Sequence, residues 1–463
     1  MLQIGGMKKL LYFFLGLLIL SCSEDTINNN NDITEPPTPT LDFEVFTNVT
    51  QVPTQQETAE NISRTFYDVS GTFVYGDDDT MFAFYSGASD SQGNSIEDVL
   101  PVASQVLIKV DNTWEFFKTD DNLKAWGMRN FEILENEVII GDGNEIGADA
   151  STWKGDVYIG QILNNGDISW RRVNEINERG FFHGTCAGDL NNDGLTDVGV
   201  TPGLANQGVN IFIQNQDGSF TRSNELLDTN GAETPFTLDF ADLTGDGIDE
   251  IITADYGGGG TPDEDAHEIR IYKYNSSVGK FELHFQINEP NIYDVGLGAT
   301  SIKIEDFTND GILDIAVARE DISASGFEVW KGTGNAEFEF VFSSPSWTQN
   351  ELQFREFSVL DVNNDGSLDI ILRPFHYGTL YRNSGNCWWN VDACNGIKLN
   401  HLIWINNGNG YFDYYNDKDL TIEGLLVDSI HPYMQNETLH FVGTFSDNPS
   451  EPSVNTVDIK VNL

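Results

Sequence analysis

Four nine-residue segments of this chain align without gaps. They are Asp189-Leu-Asn-Asn-Asp-Gly-Leu-Thr-Asp197, Asp242-Leu-Thr-Gly-Asp-Gly-Ile-Asp-Glu250, Asp306-Phe-Thr-Asn-Asp-Gly-Ile-Leu-Asp314 and Asp361-Val-Asn-Asn-Asp-Gly-Ser-Leu-Asp369. Their first residues lie 53, 64 and 55 positions apart. A repeat of that period is one supersecondary unit that cannot bury its apolar face alone, so neighbouring units must stack. Each segment follows a run of alternating apolar and polar residues and precedes a short apolar stretch, such as Ile251-Ile252 or Ile315-Ala316-Val317. A second strand pattern starts 12, 18, 13 and 32 residues after the segments, at Val209–Ile213, Glu268–Tyr272, Phe327–Trp330 and His401–Ile405, and an aromatic return strand follows, as in Gly410-Tyr-Phe-Asp413. About four strands per unit and no helical period predict an all-β fold of propeller blades, each a four-stranded antiparallel sheet.

The mean repeat is about 57 residues, and residues 41–463 number 423, which predicts seven blades. Three degenerate units fill the count. Gly71-Thr-Phe-Val-Tyr-Gly76 precedes Met81–Phe84, Asn130–Ile133 precedes Val138–Ile140, and Leu426-Val-Asp428 precedes Leu439–Val442. The chain ends one strand short at Val457–Val461, and Leu41–Phe46 supplies the missing outer strand, so that the termini share a blade and cover its edge. Spacing alone also admits six or eight blades.

The chain has 463 residues, with 24 Lys and Arg against 73 Asp and Glu, a formal charge of −49. Such a surface repels polyphosphate, which excludes nucleic-acid binding through a basic face and attraction to an anionic membrane. Hydrophobic residues at 39% supply a sizeable core.

At the N-terminus Lys8-Lys9 precede an apolar run from Leu10 to Leu20, with Ser21-Cys22 after it. Eleven residues rise about 16 Å as a helix, too little for a bilayer core of about 30 Å, so residues 1–21 read as a secretory signal peptide. Ile19-Leu20-Ser21-Cys22 resembles the bacterial lipobox, which implies lipidation of Cys22, and Ser23-Glu24-Asp25 resembles the acidic surface-export signal of Bacteroidota lipoproteins. Residues 22–40 then form the lipidated Cys and a flexible tether rich in Asn, Pro and Thr, and residues 41–463 the propeller. The expected location is the outer membrane, at the cell surface, with the lipid anchor as the sole membrane contact. Cys387 and Cys394 lie seven apart in a loop-like stretch, and an oxidising compartment favours a disulfide between them. Cys186 reads as a buried free thiol.

In the repeated segment, carboxylates or substitutes stand at positions 1, 3, 5 and 9, with Gly at 6. That is an oxygen-rich turn suited to calcium, which takes six to eight oxygens at about 2.3–2.6 Å and needs the Gly bend. Position 7 offers a backbone carbonyl, from Leu195, Ile248, Ile312 and Ser367. An EF-hand needs a bidentate Glu at position 12, where Val200, Thr253, Val317 and Leu372 stand instead. The same residues also serve as plain Asp/Gly turns without metal; four copies in register favour calcium. The segments are similar to the FG-GAP/VCBS repeats of seven-bladed propellers such as the integrin α-subunit headpiece. The resemblance implies structural calcium held by Asp189, Asn191, Asp193 and Asp197; by Asp242, Thr244, Asp246 and Glu250; by Asp306, Thr308, Asp310 and Asp314; and by Asp361, Asn363, Asp365 and Asp369. The Phe-Gly and Gly-Ala-Pro signatures of that family are not evident, and Thr at position 3 in two loops and Glu at position 9 in one depart from the stronger ligand pattern.

Six residues before each position 1 stand His183, Phe236, Thr300 and Arg355, candidates for a ligand-facing rim or ordinary strand ends. In Cys387-Trp-Trp-Asn-Val-Asp-Ala-Cys394, Trp388 and Trp389 cannot both point the same way in an extended stretch, so one is free to stack on a sugar or both cover a blade. The Gly-rich loop Tyr256–His267 lacks the Lys and helix of a phosphate cradle. No G-x-S-x-G, H-E-x-x-H or zinc spacing of the seven histidines occurs. The expectation is a non-catalytic binding or adhesion module for a glycan or protein ligand. The alternative is a polysaccharide lyase using His183 with a Tyr as base and Arg355 as neutraliser.

Overall fold

The alternating runs become antiparallel strands because alternate side chains reach opposite faces, and both faces of each sheet meet apolar neighbours. The computed structural model describes residues 45–51 and, with breaks in connecting segments, 72–459; residues 1–44, 86–101, 256–268 and 375–395 are among those outside the description.

The four repeats each build one sheet. The first consists of Phe182–Gly188, Asp197–Pro202, Asn210–Gln214 and Phe220–Arg222, and the second of Pro235–Ala241, Glu250–Asp255, Ile269–Asn275 and Lys280–Ile287. The third starts with Gly298–Glu305, Asp314–Glu320, Ala324–Gly332 and Phe338–Ser343; the fourth has Phe354–Leu360, Asp369–Pro374, Ile403–Asn406 and Phe412–Tyr414. Two degenerate units are sheets as well, opening with Thr72–Asp77 and Met128–Leu134. The last sheet joins the termini: Val427–Gln435, Thr438–Phe445 and Ser453–Ile459 are completed by Val45–Gln51, in register from Val45 opposite Ile459 to Gln51 opposite Ser453.

Six of these sheets are four-stranded blades, so the expected seven four-stranded blades are corrected to six. The third-repeat sheet has five strands, because Trp347 and Thr348 pair with Ser325 and Ala324 at the start of its third strand. Burial of one indole accounts for the addition. Trp347 packs edge-on against Phe354 at 5.8 Å and Trp404 at 5.4 Å, which draws its segment onto the sheet. Spacing arithmetic counts repeats and cannot count strands within one. A separate two-stranded pair, Gly396–Lys398 with Thr421–Glu423, also lies outside the four-strand scheme.

The core consists of apolar clusters shared between consecutive sheets. Ile139 and Val157 meet Val198 and Phe212; Leu238 and Phe240 meet Ile211; Ile252 and Ile271 meet Ile302 and Phe338. Phe327 and Val329 pack with Ile371 and Trp404, and the same cluster takes in Leu439 and Phe441 of the closing sheet. Tyr433 and Val442 reach the first degenerate sheet at Leu107 and Trp114, and Phe73 and Phe84 pack on Val138 and Ile140 of the next. Each sheet is thus held by both neighbours, and the closing strand from the N-terminus caps what would be an open edge.

Candidate metal loops and channel mouth

Each repeat loop joins the first strand of its sheet to the second, and all four share one hydrogen-bond frame. The position 1 carboxylate accepts from the amides of positions 5 and 6: at 3.1 and 2.8 Å in Asp189, 3.0 and 2.9 Å in Asp242, 3.1 and 2.8 Å in Asp306, and 3.1 and 2.9 Å in Asp361. The position 5 carboxylate accepts from the amide of position 7, at Leu195, Ile248, Ile312 and Ser367. At position 9, Asp197, Glu250 and Asp369 accept from the amide of position 2, whereas Asp314 accepts from Thr308 at position 3. In the first, third and fourth loops the other position 9 oxygen accepts from the third strand, at Gln214, Gly332 and Asn406.

This frame needs two left-handed residues per loop. Position 6 is Gly at φ between 78 and 87°, and position 4 is Asn192, Gly245, Asn309 or Asn364 at φ between 54 and 72°. Apart from Gly, Asn is the residue that tolerates this region best, so position 4 carries a constraint that a ligand-based reading of the motif passes over. The Asn-Asp-Gly and Gly-Asp-Gly triplets are its signal in the sequence. Position 12 lies inside the second strand in every copy, with Val200, Thr253, Val317 and Leu372 buried, as the exclusion of an EF-hand requires.

The position 9 side chains are buried. Burial, with repulsion from Asp193 and Asp189, raises the Asp197 pKa to about 6; burial, with repulsion from Asp365 and Asp361, raises that of Asp369 to about 7. Glu250 and Asp314 are also raised by burial, but Lys273 works against the rise at Glu250. Among the described residues no three His, Cys, Asp or Glu side chains converge as a metal cluster by themselves. The loop donor sets mix carboxylates with Asn191 and Asn363 amides, Thr244 and Thr308 hydroxyls and position 7 carbonyls.

At the other end of the first strands, sequence counting picks out a structural feature. Pairing with the second strand shifts by one residue at His183, Phe236, Thr300 and Arg355, and again at Arg129 and Asp428. These are β-bulges, which leave one residue of the first strand unpaired and bend the strand. Sequence reading found four of the six; Arg129 and Asp428 lie in degenerate units without the loop motif to count from. His183 packs against Phe236 with ring centroids 4.1 Å apart, and Thr300 donates to the Ala318 carbonyl at 3.3 Å.

Three residues further along each strand come Glu132, Cys186, Asp239, Lys303, Ser358 and His431. Burial raises the pKa of Glu132, and that of Asp239 well above the carboxylate range, while the Lys303 ammonium opposes both. Burial and the nearby Arg373 guanidinium hold His431 well below the ordinary imidazole range, and burial pushes the Cys186 thiol up. Cys186 is a buried free thiol, as expected. Arg373 pairs with Glu356 at 2.6 Å and lies over the Phe131 ring at 5.4 Å. Cys22 with its expected lipidation, Cys387 and Cys394 with their expected disulfide, and Trp388 and Trp389 all fall outside the described residues.

Blades of this kind, stacked in sequence and closed by a strand from the opposite terminus, define a β-propeller. Residues 189–253 and 306–372 match the FG-GAP-like repeat, so the propeller carries FG-GAP-like repeats over these two stretches. No curated protein matches the chain. Among solved structures it is similar to a putative 6-phosphogluconolactonase from Bacteroides uniformis, at 14% identity and a TM-score of 0.43 over 74% of this chain and 82% of that one. It is also similar to Trypanosoma rangeli sialidase, at 11% identity and a TM-score of 0.42 over 89% of this chain and 59% of that one. Saccharomyces cerevisiae Sqt1 gives 11% identity and a TM-score of 0.41 over 86% of this chain and 98% of that one.

Proposed function

We propose that the protein is a calcium-stabilised β-propeller that serves as a non-catalytic binding module, anchored at the cell surface through Cys22. The observation that carries the calcium reading is the common loop frame. In all four copies backbone amides fix the carboxylates of positions 1 and 5, and a buried carboxylate stands at position 9. Backbone amides satisfy only part of the oxygen capacity of these groups, and the repulsion of Asp197 by Asp193 and Asp189, and of Asp369 by Asp365 and Asp361, is of the kind a divalent cation relieves. The donors are all hard oxygens, which suits calcium rather than zinc. When bound, the ion supplies charge neutralisation to the turn, and the loop residues hold it.

The binding role rests on the bulged mouth, where pairing shifts by one residue in six first strands and the residue types at the shift differ: Arg129, His183, Phe236, Thr300, Arg355 and Asp428. A mouth of mixed charge, aromatic and hydroxyl groups suits a glycan or a protein loop. Calorimetric unfolding of the full chain, first with calcium and then with excess EDTA, tests the metal reading. A ligand bound only by the folded state raises Tm, so EDTA is expected to lower it by several degrees. An unchanged Tm would leave the loops as plain turns. Glycan-array binding by wild type and by His183→Ala tests the mouth.

A further inference from the structure

The four loops differ in a residue that lies outside them. The third strand of each sheet pairs with the second at register-equivalent points: Phe212 opposite Val198, Tyr272 opposite Ile251, Trp330 opposite Ile315 and Trp404 opposite Ile370. The next residue along is Ile213 in the first sheet and Ile405 in the fourth, both packed in apolar clusters. In the second and third sheets it is Lys273 and Lys331.

Both ammonium groups reach into their loops. Lys273 Nζ donates to Thr244 Oγ1 at 2.9 Å and lies 3.6 Å from both Asp246 Oδ2 and Glu250 Oε1, which are the position 3, 5 and 9 donors. Lys331 Nζ lies 2.6 Å from Asp310 Oδ2, the position 5 donor of the third loop. These two loops are also the ones with Thr in place of Asn at position 3, and the second has Glu at position 9. An ammonium among a loop's own ligand oxygens supplies part of the charge a metal would bring and repels a divalent ion nearby.

We propose that Lys273 and Lys331 are built-in cations that replace calcium in the second and third loops, so that only the loops Asp189–Asp197 and Asp361–Asp369 bind the ion. The inference rests on the calcium reading above and divides it: two adjacent middle blades are neutralised from within the chain, and the two flanking them depend on the medium. A lysine-filled loop keeps its turn at any calcium concentration.

Equilibrium dialysis of the full chain against radiolabelled calcium tests this. Wild type is expected to bind two ions, and Lys273→Ile with Lys331→Ile, which installs the residue of the other two loops, four. Should that variant misfold, carboxylate substitutions decide the matter. Asp242→Asn with Asp306→Asn is expected to leave two ions bound, and Asp189→Asn with Asp361→Asn to leave none. Four ions on wild type, or a loss of ions in the Asp242/Asp306 variant, would overturn the lysine proposal while the calcium reading stands. An unchanged count of two in a folded double lysine variant would overturn it as well. No ion bound by wild type would remove the calcium reading and this inference together.

Discussion

Asn309 donates from its side-chain amide to the Ser367 hydroxyl oxygen at 3.1 Å, so position 4 of the third loop is tied to position 7 of the fourth. The first pair of loops is joined in a similar way: the Asp189 amide donates to Asp249 Oδ2 at 2.6 Å, and Asn192 sits so close to Gly247 that a Cβ there would meet its amide nitrogen at 2.8 Å. Asn309 therefore serves its own turn through backbone conformation and the next loop through its side chain.

Asn309→Val is expected to destabilise the fold by about 2–3 kcal/mol. A β-branched residue at φ 54° costs about 1–2 kcal/mol, and the lost hydrogen bond adds about 1 kcal/mol. Asn309→Gly keeps the turn and should lose only the second part. Urea unfolding of the two variants checks the order, and equal midpoints would show that the left-handed backbone is not what selects Asn.

Trp404 is the hub where three sheet elements meet. Its ring lies 4.8 Å from Tyr414, 5.1 Å from Phe327 and 5.4 Å from Trp347, and it is buried. Trp404→Ala is expected to cost about 3–5 kcal/mol, with a smaller loss for Trp404→Phe. A loss below about 1 kcal/mol, measured by denaturant titration, would mean that the blades do not depend on this cluster.

The pH dependence has a defined contribution from His431. Its folded pKa lies well below the ordinary value of 6.5, first because burial disfavours the imidazolium and then because Arg373 repels it. The unfolded chain therefore takes up a proton near pH 6.5 that the folded chain refuses. The associated stability is present above that pH and is lost as the pH falls below it. Carboxylates with raised values, such as Asp239, change stability in the opposite sense, so the comparison must be between proteins. Between pH 7.5 and 5, wild type is expected to lose stability relative to His431→Gln; parallel Tm curves for the two would refute this assignment.

Removing the first 51 residues strips Val45–Gln51 from the closing sheet and leaves Ser453–Ile459 as an unpaired edge. An exposed edge strand invites pairing with other chains. The truncated chain is expected to unfold at a lower temperature and to self-associate in light scattering. A monomer with an unchanged Tm would show that closure through the N-terminal strand is dispensable.

The repeat was legible in residue order because each loop obeys local chemistry. Asp at positions 1 and 5 caps nearby amides, Gly at 6 supplies the bend, and an apolar strand follows. The closing strand was legible too, although the prediction at Leu41–Phe46 lies four residues ahead of Val45–Gln51, since a terminal strand takes its register from its partner and not from its own pattern. The fifth strand at Trp347–Thr348 had no local signal, being held by an indole whose partners come from the next sheet. Arg129 and Asp428 joined the bulged mouth only through pairing.

The sequence by itself determined the all-β propeller, the four repeated loops and the oxygen-bearing residues of each, because the loops depend on residues within nine positions of one another. Only the tertiary structure decided which loops already hold a charge. Lys273 and Lys331 lie 31 and 25 residues from the first Asp of their loops, and strand pairing alone brings each ammonium to the carboxylates it faces.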